Sequence, residues 1–115
     1  MLDFYPQIVT QAVYGLITGR PRSSRWPRVR AEFLLCHGEC VACGTKKYLE
    51  AHHKVPFYVD QALELDLQNL ITLCRTCHFM IGHLKDWSRY NVNVDDDAVS
   101  FRRKILNFEA RSVRG

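Results

Sequence analysis

The 115-residue chain lacks several things, and each absence narrows the reading. It has no run of about 18 apolar residues, so no membrane-spanning helix is expected. Its start does not read as an export signal: Asp3 stands where a basic region should be, and Gln7 and Gln11 interrupt the apolar run. A cytoplasmic, reducing location is therefore the expectation. The cysteines number five, and an odd count without an export signal argues against a disulfide framework. Internal repeats and low-complexity tracts are absent, and the length suits one domain, 1–115, around one modest core.

Acidic residues are also scarce at the start. Before Glu32 the only one is Asp3, set against Arg20, Arg22, Arg25, Arg28 and Arg30. The remainder carries eleven basic and eleven acidic side chains, so the whole net charge of +4 falls in this first part, concentrated in "RPRSSRWPRVR". Such a patch suits a polyanion, most commonly nucleic acid. A solvated, charged linker is the other reading of the same residues. Arg102, Arg103 and Lys104 could extend a basic surface or form a solvated helix face.

Phe4, Ile8, Val9, Ala12, Val13, Leu16 and Ile17 recur at helical spacing, which predicts an amphipathic helix over 4–17, stopped by Gly19 and Pro21. It would pack on the core or on a partner, and a homodimer through it is one expectation. A second helix starts near Pro27 and runs to His37-Gly38. "KYLEAHH" and "LITLC" read as short strands, with a loop and one helical turn between them. "RTCHFMIGHLKDW" reads as a short helix weakened at Gly82. "NVNVDDD" supplies a turn and acidic N-cap residues for a last helix over 98–110.

Two Cys-x-x-Cys turns, Cys40/Cys43 and Cys74/Cys77, lie thirty residues apart. Each tight turn offers two thiolates from one side, and zinc takes four such ligands in a tetrahedron. The closed set implies a structural zinc pinning both ends of the 44–73 excursion, which matters in so small a domain. Four buried free thiols are the alternative. Cys36 is left over and reads as a core residue, and His37 lies near a helix end.

The clamp would bring "EAHHKVPF" close to His78. In this setting "CVACG", "LEAHHKVPF", "NLITLCRTCH" and "GHLKDW" together resemble the HNH endonuclease family over about residues 27–94. The resemblance implies an α+β chain with a small ββα-metal core and a zinc-clamped hairpin. An N-terminal helix and Arg-rich segment, 1–26, and a C-terminal helix, 95–115, would flank that core. It implies that His53 is the general base, that His52 and His78 bind a catalytic divalent metal, and that Asn69 braces the loop orienting the base. It implies a DNA endonuclease leaving 5′-phosphate and 3′-hydroxyl ends. An RNA-directed nuclease, or an inactive zinc-stabilised nucleic-acid-binding module, remain as alternatives. Restriction, phage packaging, homing and toxin settings are all compatible, with action in a host cytoplasm if a phage or mobile element encodes it.

Adjacent residues on a strand point to opposite faces, so His52 and His53 can hold different jobs. The expected metal is Mg²⁺ or Mn²⁺, with Ni²⁺, Co²⁺ or Zn²⁺ also suited to imidazole. Some relatives use a further histidine four residues after the one matching His78. Here that position is Gly82, and His83 follows. Five residues on a regular helix turn about 140° away. His83 is therefore expected as a phosphate contact or surface residue, and as a ligand only if the helix loosens at Gly82.

Overall fold

Two five-residue segments, Leu49–His53 (β1) and the more apolar, partly β-branched Leu70–Cys74 (β2), pair as an antiparallel ladder with Leu49 opposite Cys74 and His53 opposite Leu70. β2 is buried along its whole length, whereas β1 buries only His52. In the computed structural model, which describes residues 22–114, a helix α1 (Trp26–Cys36) precedes this hairpin. After β2 come a single helical turn α2 (Arg75–Cys77), a π-helical turn His78–Gly82, and a long helix α3 (Val94–Arg114). The arrangement is the expected α+β one, with strands, a following helix and a flanking C-terminal helix. The helix expected over 4–17, the dimer expected through it and Arg20 lie outside the described residues. Among the described residues no helix is long and apolar enough to cross a membrane.

The connection between the strands turns on two 3₁₀ turns, Gln61–Leu63 and Leu67–Asn69. Asp60 and Asp66 cap them by accepting from the backbone N–H groups of Ala62 and Gln68 at 3.0 and 2.9 Å. The core gathers Cys40, Ala42, Ile71, Leu73, Cys74 and Cys77 against Val94 and Ala98 of α3. Asn91, buried just before α3, ties that helix to the π turn. Its side-chain amide donates to the Ile81 carbonyl at 3.0 Å and to Asp97 at 2.8 Å.

Four expectations need correction. The helix expected through Trp87 ends at Gly82, because the π turn uses up its last carbonyls and Leu84 and Lys85 then take left-handed φ values of 55° and 65°. The last helix begins at Val94, so Asp95, Asp96 and Asp97 occupy its first turn instead of capping it; there they still meet the positive end of the helix dipole. Cys36 is exposed, since α1 turns Phe33 inward and leaves its last residue to solvent. Arg102 spans from α3 to the first cysteine turn, where its guanidinium donates to the Cys43 carbonyl at 3.3 Å. It fills the space beside Gly44, whose φ of 82° and lack of a Cβ permit that approach.

Candidate active site and cysteine cluster

The four cysteines converge. Their sulfurs all lie within 4.8 Å of one another. The Cys43 and Cys74 sulfurs are 3.7 Å apart, which suits two corners of a zinc tetrahedron with Zn–S bonds of about 2.3 Å. In each turn the second cysteine's N–H points back at the first sulfur, Cys43 to Cys40 and Cys77 to Cys74, both at 3.4 Å. Burial and the neighbouring sulfurs push the Cys77 thiol well up, and burial also raises Cys43. Four sulfurs this close favour a shared dication, which removes their mutual repulsion.

On the other side of the hairpin a second cluster forms from His52, His78 and His83. The three ring centres stand 4.8, 4.9 and 4.9 Å apart. His83 joins through the π turn: its N–H donates to the His78 carbonyl at 3.0 Å. That i→i+5 ring sets residue 83 one turn above residue 78, where an α-helix would swing it away. His83 is buried, so its expected surface position is corrected.

Hydrogen bonds fix which nitrogens are free. The Nδ1–H of His78 donates to Glu50 Oε1 at 2.8 Å, and that of His83 to the Arg89 carbonyl at 2.7 Å. Their Nε2 atoms face one another at 3.2 Å, within hydrogen-bond distance. His52 Nε2 is buried and has no hydrogen-bond partner among the described residues. Burial, followed by the neighbouring histidines, holds His52 well below its usual range, and burial depresses His83 to about 4. Three converging imidazoles, with the His52 Nε2 buried and lacking a hydrogen-bond partner among the described residues, could hold a metal ion. Nitrogen ligands on an ion with bonds of 2.0–2.1 Å sit about 3.0–3.4 Å apart, which the 3.2 Å separation fits. Trp87 packs against His78 and His83 with ring centres 5.4 and 4.9 Å away.

His53 points elsewhere, as strand alternation requires. Its Nε2 lies 2.8 Å from the Glu64 carbonyl. A carbonyl only accepts, so Nε2 carries the proton and Nδ1 the lone pair. Burial lowers its pKa and keeps the ring neutral near pH 7. Trp26 covers the ring at 4.4 Å between centres. Asn69 reaches across to the connection that carries Glu64: Oδ1 accepts from Val55 N–H at 2.9 Å, and Nδ2 donates to the carbonyls of Val55 and Leu63 at 3.0 and 3.2 Å.

His52, His53, His78 and His83 open onto one cleft of about 610 Å³, rimmed by Arg30, Trp26 and Trp87. Arg25, Arg28 and Arg30 are exposed, with Arg28 paired to Glu32 at 3.1 Å. Arg22 instead turns inward onto Glu64. The sequence reading missed Glu50, Glu64, Trp26 and Trp87. Only Glu50 left a signal, because it sits two residues before His52 and so shares its strand face.

Comparison with protein families now adds a finding: the HNH endonuclease model matches residues 40–84, from the first cluster cysteine to just past His83. This segment is similar to HNH endonuclease domains, a similarity that points to nuclease activity on nucleic acid in general. Comparisons with curated proteins and with solved structures give no match.

Proposed function

We propose that the protein is a metal-dependent endonuclease that hydrolyses DNA phosphodiester bonds to 5′-phosphate and 3′-hydroxyl ends. One observation carries this reading. On adjacent residues of one strand, an imidazole with its proton held on Nε2 stands beside a cluster of three converging imidazoles, and both face the same cleft.

His53 Nδ1 takes the proton of the attacking water, while Nε2–H stays on the Glu64 carbonyl and steadies the imidazolium that forms. Asn69 keeps the connection behind that carbonyl in place. His52, His78 and His83 would hold the cation, with Glu50 and the Arg89 carbonyl orienting two of the rings. A divalent ion bound there supplies Lewis-acid stabilisation of charge on the phosphate and departing oxygen. Three nitrogen ligands favour Zn²⁺, Ni²⁺ or Co²⁺ over Mg²⁺, which prefers oxygen. This moves the reading away from the magnesium or manganese expected at first. Arg25, Arg28 and Arg30 would grip backbone phosphates without sequence choice.

Incubation of purified protein with supercoiled plasmid across a panel of divalent metals, with and without EDTA, tests the proposal. Metal-dependent nicking that EDTA abolishes is expected. No cutting with any metal, alongside retained DNA binding, would favour the inactive binding module instead. A parallel RNA substrate decides between the two nucleic acids.

A further inference from the structure

The arginine-rich stretch is not one surface. Arg25, Arg28 and Arg30 are exposed, while the Arg22 side chain keeps only 23% of its exposure and its Nε donates to Glu64 Oε2 at 2.9 Å. The backbone N–H of Ser23 reaches both oxygens of that carboxylate at 3.1 Å. Glu64 itself is 6% exposed. A carboxylate buried that deeply needs a paired charge and hydrogen bonds, and residues 22 and 23 supply them from outside the matched HNH segment.

The same Glu64 holds the base by its main chain, accepting from His53 Nε2 at 2.8 Å. The face of the His53 ring is covered by Trp26. Arg22 touches both supports: besides its ion pair with Glu64, its guanidinium carbon lies 5.2 Å from the Trp26 ring centre and 5.2 Å from that of Phe57. One side chain thus braces the hydrogen-bond acceptor of the base and the aromatic wall beside it.

We propose that Arg22 and Glu64 form a latch that positions the His53 imidazole, with Arg22 acting through Glu64 and Trp26 and making no phosphate contact. The proposal rests on reading His53 as the general base. Without the latch the Glu64 carbonyl can drift. His53 then loses the acceptor that fixes its tautomer, and the free nitrogen no longer points at the water. A displacement of about 1 Å at a reacting group costs on the order of 10²-fold in rate.

The test uses the full chain loaded with zinc and the metal that activates it, with Arg22→Ala, Glu64→Ala and the double variant compared on plasmid. Arg22→Ala should lower kcat roughly ten- to a hundred-fold, with KM and the salt slope of DNA binding unchanged. The double variant should cut no more slowly than the slower single variant, because the residues act as one unit. A raised KM, unchanged kcat and a salt slope lowered by about one would make Arg22 a phosphate contact and overturn the latch. So would a double variant whose loss is the product of the two single losses.

Glu64→Ala leaves a cavity and could unfold. A second readout therefore uses Arg22→Ala alone, with zinc content and melting as fold controls. In the zinc-loaded wild type, the His53 Nε2–H should give a slowly exchanging imidazole signal by NMR, and Arg22→Ala should broaden or lose it. An unchanged signal overturns the latch. If the wild type and His53→Ala cut alike, the general-base reading falls, and the imidazole signal still decides whether the latch exists.

Discussion

His78 and His83 present their Nε2 atoms to each other at 3.2 Å, each with its Nδ1–H already donated, one to Glu50 and one to the Arg89 carbonyl. Two ring nitrogens so close need either a shared proton or a cation between them, and a metal ion held there would use both. His83→Ala should therefore weaken binding of the catalytic metal about as much as His78→Ala. Titration calorimetry with Zn²⁺ or Ni²⁺ on protein already holding its structural zinc measures this. Full affinity in His83→Ala would remove residue 83 from the ligand set.

Gly82 should matter for a steric reason. A Cβ there would sit 3.1–3.3 Å from three atoms of the buried His52 ring. The ring must yield by a few tenths of an ångström. Gly82→Ala should then lower catalytic-metal affinity about tenfold, the scale of a disturbed support around a ligand. The four-cysteine zinc content should stay at one per chain, read by elemental analysis.

His53→Ala should bind metal and DNA nearly as the wild type does but cut 10²–10⁴-fold more slowly, about 3–5 kcal/mol at the barrier. Raising pH should restore part of the rate, since hydroxide needs no base. Burial lowers the His53 pKa, so the wild-type rate should hold through neutral pH, and its acid limb should lie below the ordinary histidine range. His52 and His83 are lowered as well, so that acid limb belongs to the coupled cluster. Unaltered cutting by His53→Ala would show that it is not the base.

Cys74→Ala should remove more than a ligand. Structural zinc contributes on the order of 10 kcal/mol, comparable to the whole stability of a small domain. Cys74 also lies in the core and accepts the Cys77 N–H. The variant should lack zinc and show no cooperative melting by circular dichroism. An unchanged melting temperature would sink the zinc assignment.

Replacing Arg25, Arg28 and Arg30 together by alanine should weaken DNA binding and reduce its salt slope by up to about three, as each lost phosphate contact releases fewer counterions. Binding measured at several salt concentrations checks this. A slope that does not move would mean the three arginines are merely solvated.

The residues differ in how plainly the sequence announces them. The strands were legible because "LEAHH" and "LITLC" carry their own pattern, and the cysteine turns because their spacing is itself the geometry. A regular 3.6-residue period undervalues His83, because the chain makes a wider turn there. The Glu64 carbonyl left no trace in the sequence, since every residue has one and only the fold decides which meets His53. Arg22 looked like its neighbours in composition, and its inward turn depends on a glutamate 42 residues away. Cys36 was misplaced because periodicity marks an apolar face without saying how far along the helix a partner extends.

The wider turn at His78–Gly82 also changes what a spacing rule means. What the site requires is an angle about the helix axis, and a residue count is only its usual proxy. Five residues in an i→i+5 ring and four in an i→i+4 ring deliver the second histidine to nearly the same bearing. A one-residue insertion at such a place can thus be absorbed by the backbone ring without dispersing the ligands.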